Sequence, residues 1–162
     1  MATPAAVGQW PTTKLRDPQG SAKVTPREQT LIRESWAQIA PIADTAASIF
    51  YDRLFELDPS LRTLFSRTDM ASQRRNLMQT LAVVVASIDR LESIVPAVEA
   101  LGRRHAGYGV EAAHFETVGQ ALLDTLAIGL GEAFTTEVRE AWATAYGILA
   151  GVMQSAAADI AA

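Results

Sequence analysis

The sequence of 162 residues holds only two histidines, and one of them, His105, stands where a helical stripe would place a core residue. It follows Val98 by seven positions and Leu101 by four, so at 3.6 residues per turn it extends their inward face. A histidine there is either a hydrogen-bonded core residue or a metal ligand. Two other polar residues interrupt apolar faces. Gln73 comes four positions before Leu77 and heads that stripe, while Tyr51 follows Ala47 by four and precedes Leu54 and Phe55. Taken singly, Gln73 reads equally as a polar residue near a helix start. Tyr51 reads equally as a core aromatic whose hydroxyl reaches water.

Other chemistries are tested against their residue requirements. "EAAH", residues 111–114, is half of a di-iron carboxylate site, but the only other histidine has Gly102 three positions before it, so the second half is missing. His105 and His114 lie nine positions apart with glycines between them and share no helix face. No HExxH zinc pattern, phosphate loop or GxSxG elbow occurs. His114 reads as a surface residue or a hydrogen-bonder near a helix start. What is left is one imidazole on an apolar stripe, which suits a non-covalent haem: one axial nitrogen and a large apolar pocket.

The elements that would position these residues are helical throughout. "VTPREQTLIRESW" opens with Thr25 as N-cap, Pro26 at the first helical position and Glu28 where a capping box needs it. A second helix aligns Ala43, Ala46, Ala47, Phe50, Leu54 and Leu57 on one face. A short helix starts at Pro59 and ends near Phe65. A third stripe carries Leu77, Leu81, Val84, Val85 and Ile88, and a fourth carries Ile94, Val98 and Leu101, closed by Gly107 and Gly109. Two long helices follow, from about 112 to 130 and from near Thr135 onward. The expectation is an all-α domain of about seven helices over residues 24–160. Residues 1–23, rich in Pro, Gly, Thr and Gln, are expected to form a flexible extension, with Trp10 as its one candidate for docking.

Composition narrows the function further. With no cysteine, thiolate metal sites, cysteine nucleophiles and thioether-attached cofactors are excluded. The net charge of −4 gives no support to a nucleic-acid or anionic-membrane partner, and no apolar run is long enough for a membrane helix. A cytoplasmic location is expected.

Four blocks, "FYDRLFELDPSLRTLF" (50–65), "SQRRNLMQTL" (72–81), "LGRRHAGYGV" (101–110) and "AWATAYGILAGVM" (141–153), resemble bacterial single-domain haemoglobins and the globin half of flavohaemoglobins. "LIRESW" and "LGRRHAGYGV" are also similar to neuroglobin. The resemblance spans about residues 24–157 and implies the globin fold, a sandwich of three helices on three around haem b. It implies that His105 is the proximal ligand to the iron. It places Phe65 on the haem face, Tyr51 and Gln73 in the distal pocket, and Leu77, Leu101, Arg104 and Val118 among the positions that contact or wall the haem. A bis-histidine haem is not expected, because residue 73 is not histidine. The tyrosine and glutamate that flavohaemoglobins place behind the proximal histidine correspond here to Phe115 and Ala157, so a strong anionic push on His105 is not expected either.

The functions implied are reversible binding of O2, CO and NO, with high O2 affinity from the Tyr51 and Gln73 donors. The alternative is an enzyme, a nitric oxide dioxygenase or nitrite reductase. Either activity would need a separate ferric-haem reductase, since no flavoprotein domain follows in this sequence. A haem-free helical interaction module is a third class. A monomer or homodimer is expected.

Overall fold

The structure is a computed structural model that describes residues 24–161, with side chains to 158. The extension 1–23, and with it the expectation for Trp10, lies outside the described residues. Six α-helices occur among them: α1 (Pro26–Ile39), α2 (Ala43–Leu57), α3 (Met70–Ala86), α4 (Val95–Gly107), α5 (Ala112–Leu130) and α6 (Thr136–Ala161). The seventh helix expected, after Pro59, is a 3-10 segment over Pro59–Phe65. Its proline removes an N–H and Asp58 caps Ser60 from outside, so the chain tightens into short-range turns instead of a full α-helix.

Local chemistry sets the boundaries. Thr25 and Glu28 exchange side-chain and backbone hydrogen bonds at 3.1 and 3.0 Å, a complete capping box for α1. Asp69 caps α3 through the Ala71 N–H and also accepts from Ser72 Oγ, contacts that hold its carboxyl below the usual range. Thr135 caps α6 through the Val138 N–H. Gly109, at φ +91°, makes the turn out of α4 that an L side chain would resist.

Helices α1, α3 and α4 form one layer over α2, α5 and α6. α4 lies chiefly on α6, α1 on α6, α2 on α5 and α3 on α2. The α4–α6 approach is close enough that a Cβ on Gly102 would stand 2.5 Å from the Met153 carbonyl oxygen. The core fills the space between α1, α2, α5 and α6, with Ile32, Ala47, Leu54, Leu123, Leu126 and Trp142 buried. Burying each Ile or Leu side chain there contributes about 1.5–3 kcal/mol. The Trp142 indole N–H donates to Ser35 Oγ, which donates in turn to the Leu31 carbonyl, so both buried polar groups are satisfied. Arg53 Nε donates to Asp124 at 2.7 Å and ties α2 to α5 at the surface. One expected face position fails: Leu57 is exposed rather than packed, because α2 ends there and the chain turns away at Asp58.

Candidate functional site

Two groups of side chains hold the expected site residues, one carried by α2, α3 and the Pro59–Phe65 turn, the other by α4. In the first, Gln73 Nε2 donates to the Tyr51 hydroxyl oxygen at 3.0 Å. α3 delivers Gln73 one turn past its Asp69 cap, and α2 delivers Tyr51 from the buried face that also holds Ala47 and Leu54. Since the Tyr51 oxygen accepts from the amide, its own O–H proton is left to donate elsewhere. Burial raises the Tyr51 pKa above its ordinary value, and the Gln73 hydrogen bond offsets part of that rise. The hydroxyl is therefore neutral, and a donor, across the ordinary pH range.

Aromatic rings fix where Tyr51 points. Phe50 meets it edge-on at 4.9 Å and Phe65 at 5.6 Å between centroids, and Phe55 lies 5.6 Å from Phe65. Phe55 was not among the expected site residues. Its place four residues after Tyr51, on the same face, was the available signal. Arg62 covers its outer side, the guanidinium 4.9 Å from the ring centroid.

On α4, His105 Nδ1 lies 2.7 Å from the Leu101 carbonyl oxygen. A carbonyl only accepts, so Nδ1 carries the proton and Nε2 carries the lone pair. Nε2 makes no hydrogen bond with the described residues, and the ring is half-buried. Behind α4, the Tyr146 hydroxyl donates to the Phe115 carbonyl at 2.7 Å, and deep burial pushes its pKa far up. His114 behaves as a helix-start hydrogen-bonder: its Nδ1 accepts the Glu111 N–H.

Phe65, Leu77, Leu101 and Val118 are half-buried, whereas Arg104 is exposed in the last turn of α4. Large apolar side chains left half-covered beside a well-packed core, together with an imidazole whose tautomer leaves Nε2 free, fit a flat apolar iron porphyrin. His105 would hold its iron, and the Arg104 guanidinium would pair with its carboxylates. No cluster of three or more His, Asp or Glu able to hold a bare metal ion occurs among the described residues.

Comparison with known proteins places this arrangement in a family. Residues 48–153 match the family model described as Globin. Neuroglobin of Danio rerio is 32% identical over 81% of this chain and 91% of its own length. The flavohemoprotein of Bacillus subtilis is 35% identical over 66% of this chain, but the match spans only 27% of that longer protein. Among solved structures, an engineered carbene transferase built on a Rhodothermus marinus protein named for nitric oxide dioxygenation superposes with a TM-score of 0.77. It is 26% identical, and the superposition covers 86% of this chain and 96% of that one.

Proposed function

The chain belongs to the globin family, and from that premise we propose that it holds one haem b on His105 Nε2 and binds O2 reversibly, with high affinity, beside Tyr51 and Gln73. The observation that carries this reading is the Gln73-to-Tyr51 hydrogen bond, because it orients the tyrosine O–H as a donor in a part-buried site. When bound, the haem supplies a reducible iron that takes one diatomic ligand. The chain's residues do the rest. His105 is held in one tautomer by the Leu101 carbonyl. Phe65, Leu77 and Val118 exclude water, and Tyr51 and Gln73 donate to the negative charge that builds on O2. Hydrogen bonds to a charged partner contribute about 1.5–3 kcal/mol, or one to two decades in affinity. CO and NO enter the same pocket, and CO, which gathers little charge, gains less.

The first test is the visible spectrum of the dithionite-reduced protein without oxygen. One broad band is expected, marking five-coordinate haem. His105→Gly should lose it, and free imidazole should restore it. A wild-type spectrum with two sharp bands, or a His105→Gly variant that keeps its haem unchanged, contradicts the reading.

A second reading, nitric oxide dioxygenation, is favoured by the name of the Rhodothermus marinus protein, which states that activity. In it NO, O2 and one electron combine to nitrate, the electron coming from a separate reductase. Nitrite reduction to NO, which consumes one electron and two protons, uses the same partner. Recycling of ferric protein by cell lysate and NADH under NO supports the enzyme, and stoichiometric oxidation that stalls supports the binder. The proposed setting is the cytoplasm, with the protein a monomer or homodimer.

A further inference from the structure

The corner between α4 and α5 is bare backbone with one large side chain standing on it. Tyr108 is 65% exposed, yet its ring centroid lies 6.3 Å from that of His105. A Cβ on Gly107 would meet nothing within 4 Å, so no neighbouring element among the described residues covers this position. On the other side, a Cβ on Gly109 would touch Leu64, which brings the Pro59–Phe65 turn and the exposed Arg67 that follows it alongside the corner. Arg103, one turn before Gly107, is exposed too. Neither Arg67 nor Arg103 forms an ion pair among the described residues. The carboxylates nearest in sequence are Asp69, two residues after Arg67 and engaged in capping α3, Glu99, one turn before Arg103, and Glu111, which is engaged in capping α5. The chain as a whole carries −4, so cations gathered here run against its overall charge. Tyrosine and arginine carry much of the energy at protein interfaces, and complementary charge steers the encounter.

We propose that this corner is the docking surface for an acidic electron-donor protein, carrying a reduced flavin or iron–sulfur cluster, that returns one electron to the haem on His105. The proposal rests on the haem reading above and gives its reductase a place and a charge. One electron leaves the donor, so that a flavin hydroquinone becomes a semiquinone and ferric iron becomes ferrous. No covalent bond changes. Tyr108 bridges the surface and the imidazole edge, and the glycines on either side let a partner approach the ring closely.

The test uses the haem-loaded protein and flavodoxin, a small acidic flavoprotein, as probe. Binding is first measured with both partners oxidised, so that no turnover is required. The expected result is an affinity that falls at least tenfold between low salt and about 0.15 M, where screening reaches ~8 Å. Tyr108→Ala and Arg103→Glu should each weaken it at least tenfold while leaving the haem spectrum and Tm unchanged. Reduction by flavodoxin hydroquinone should slow in parallel, and reduction by dithionite should not. Equal affinity in wild type and both variants, or affinity indifferent to salt, overturns the proposal. So does sedimentation showing that a second copy of the chain occupies this face. Failure of the haem reading itself would appear separately, as a wild-type spectrum without a His-ligated band.

Discussion

Replacing Tyr51 with phenylalanine removes one oxygen atom from the proposed distal pocket and little else. The ring keeps its edge-on contacts with Phe50 and Phe65, since neither uses the hydroxyl. The lost donor contributes about 1.5–3 kcal/mol toward a charged ligand, which is roughly 10- to 150-fold in an equilibrium constant. Gln73 reduces that loss. Its amide, freed from the Tyr51 oxygen, is half-buried on the same side and turns to donate in its place. The expected effect is therefore near the low end, a rise in the O2 dissociation rate of about 10- to 30-fold. Displacement of O2 by CO in a stopped-flow instrument reads it directly. The CO dissociation rate, which reports a less polar ligand, should change by less than about threefold. Gln73→Leu should produce a smaller rise alone, and the double variant should exceed the product of the two, because each donor covers for the other. An O2 dissociation rate unchanged in Tyr51→Phe, with an intact spectrum, would refute the distal assignment.

Three further outcomes follow from packing and burial. Gly102→Ala drives a Cβ to 2.5 Å from the Met153 carbonyl oxygen and 2.6 Å from its Cα, contacts with backbone that cannot swing aside. Overpacking of this kind costs about 1–3 kcal/mol, or roughly 2–10 °C in Tm for a domain of this size, and an unchanged Tm would contradict it. Alkaline stability turns on Tyr51 and Tyr146, whose folded pKa values burial raises. Below about pH 10 both states keep these protons, and above it the unfolded chain loses protons that the native state retains, so stability falls as pH rises. Urea midpoints at pH 9 and 11 should show that fall, and Tyr146→Phe should make it shallower; an identical slope would show that Tyr146 plays no part. Arg74 has a buried Nε with no hydrogen-bond partner. Arg74→Met keeps the apolar stem and deletes the unpaired donor, so Tm should hold or rise, and a clear drop would mean that the guanidinium is engaged.

How much was legible in the sequence depended on range. Thr25, Pro26 and Glu28 announce the start of α1 because capping is settled within four residues. The stripe from Phe115 to Leu126 reproduces α5 because its periodicity is uninterrupted. The short helix from Pro59 to Phe65 is legible in its bounds, though not in its 3-10 winding, whereas Leu57 departs from expectation because the spacing continues on paper while the chain changes direction. Gly102 carries no signal of its own, since its requirement is imposed by Met153, some fifty residues away on another helix. The same holds for Tyr108, whose exposure reflects the absence of any element over Gly107 among the described residues. The candidate site residues stand out in the sequence as polar exceptions on apolar faces. The direction of the Gln73-to-Tyr51 bond was not, because it depends on how two helices cross.

That direction, together with the groups behind His105, bears on which chemistry the pocket favours. On the proposed haem reading, Tyr51 would present a neutral hydroxyl proton to the ligand, with Gln73 as a second donor. His105 Nδ1 meets only the neutral Leu101 carbonyl, and the Tyr146 hydroxyl donates to the Phe115 carbonyl. Residue 115 is itself a phenylalanine and brings no hydroxyl. No carboxylate hydrogen-bonds His105 among the described residues, so nothing there raises its basicity as an anionic partner would. In that reading the two donors would retain O2, and a histidine without an anionic partner would do little to drive cleavage of its O–O bond. The proposed combination suits reversible binding, and it suits a reaction in which O2 is held until NO arrives. In the second case the proposed pocket would need nothing more, and the rate would pass to the supply of electrons at the surface.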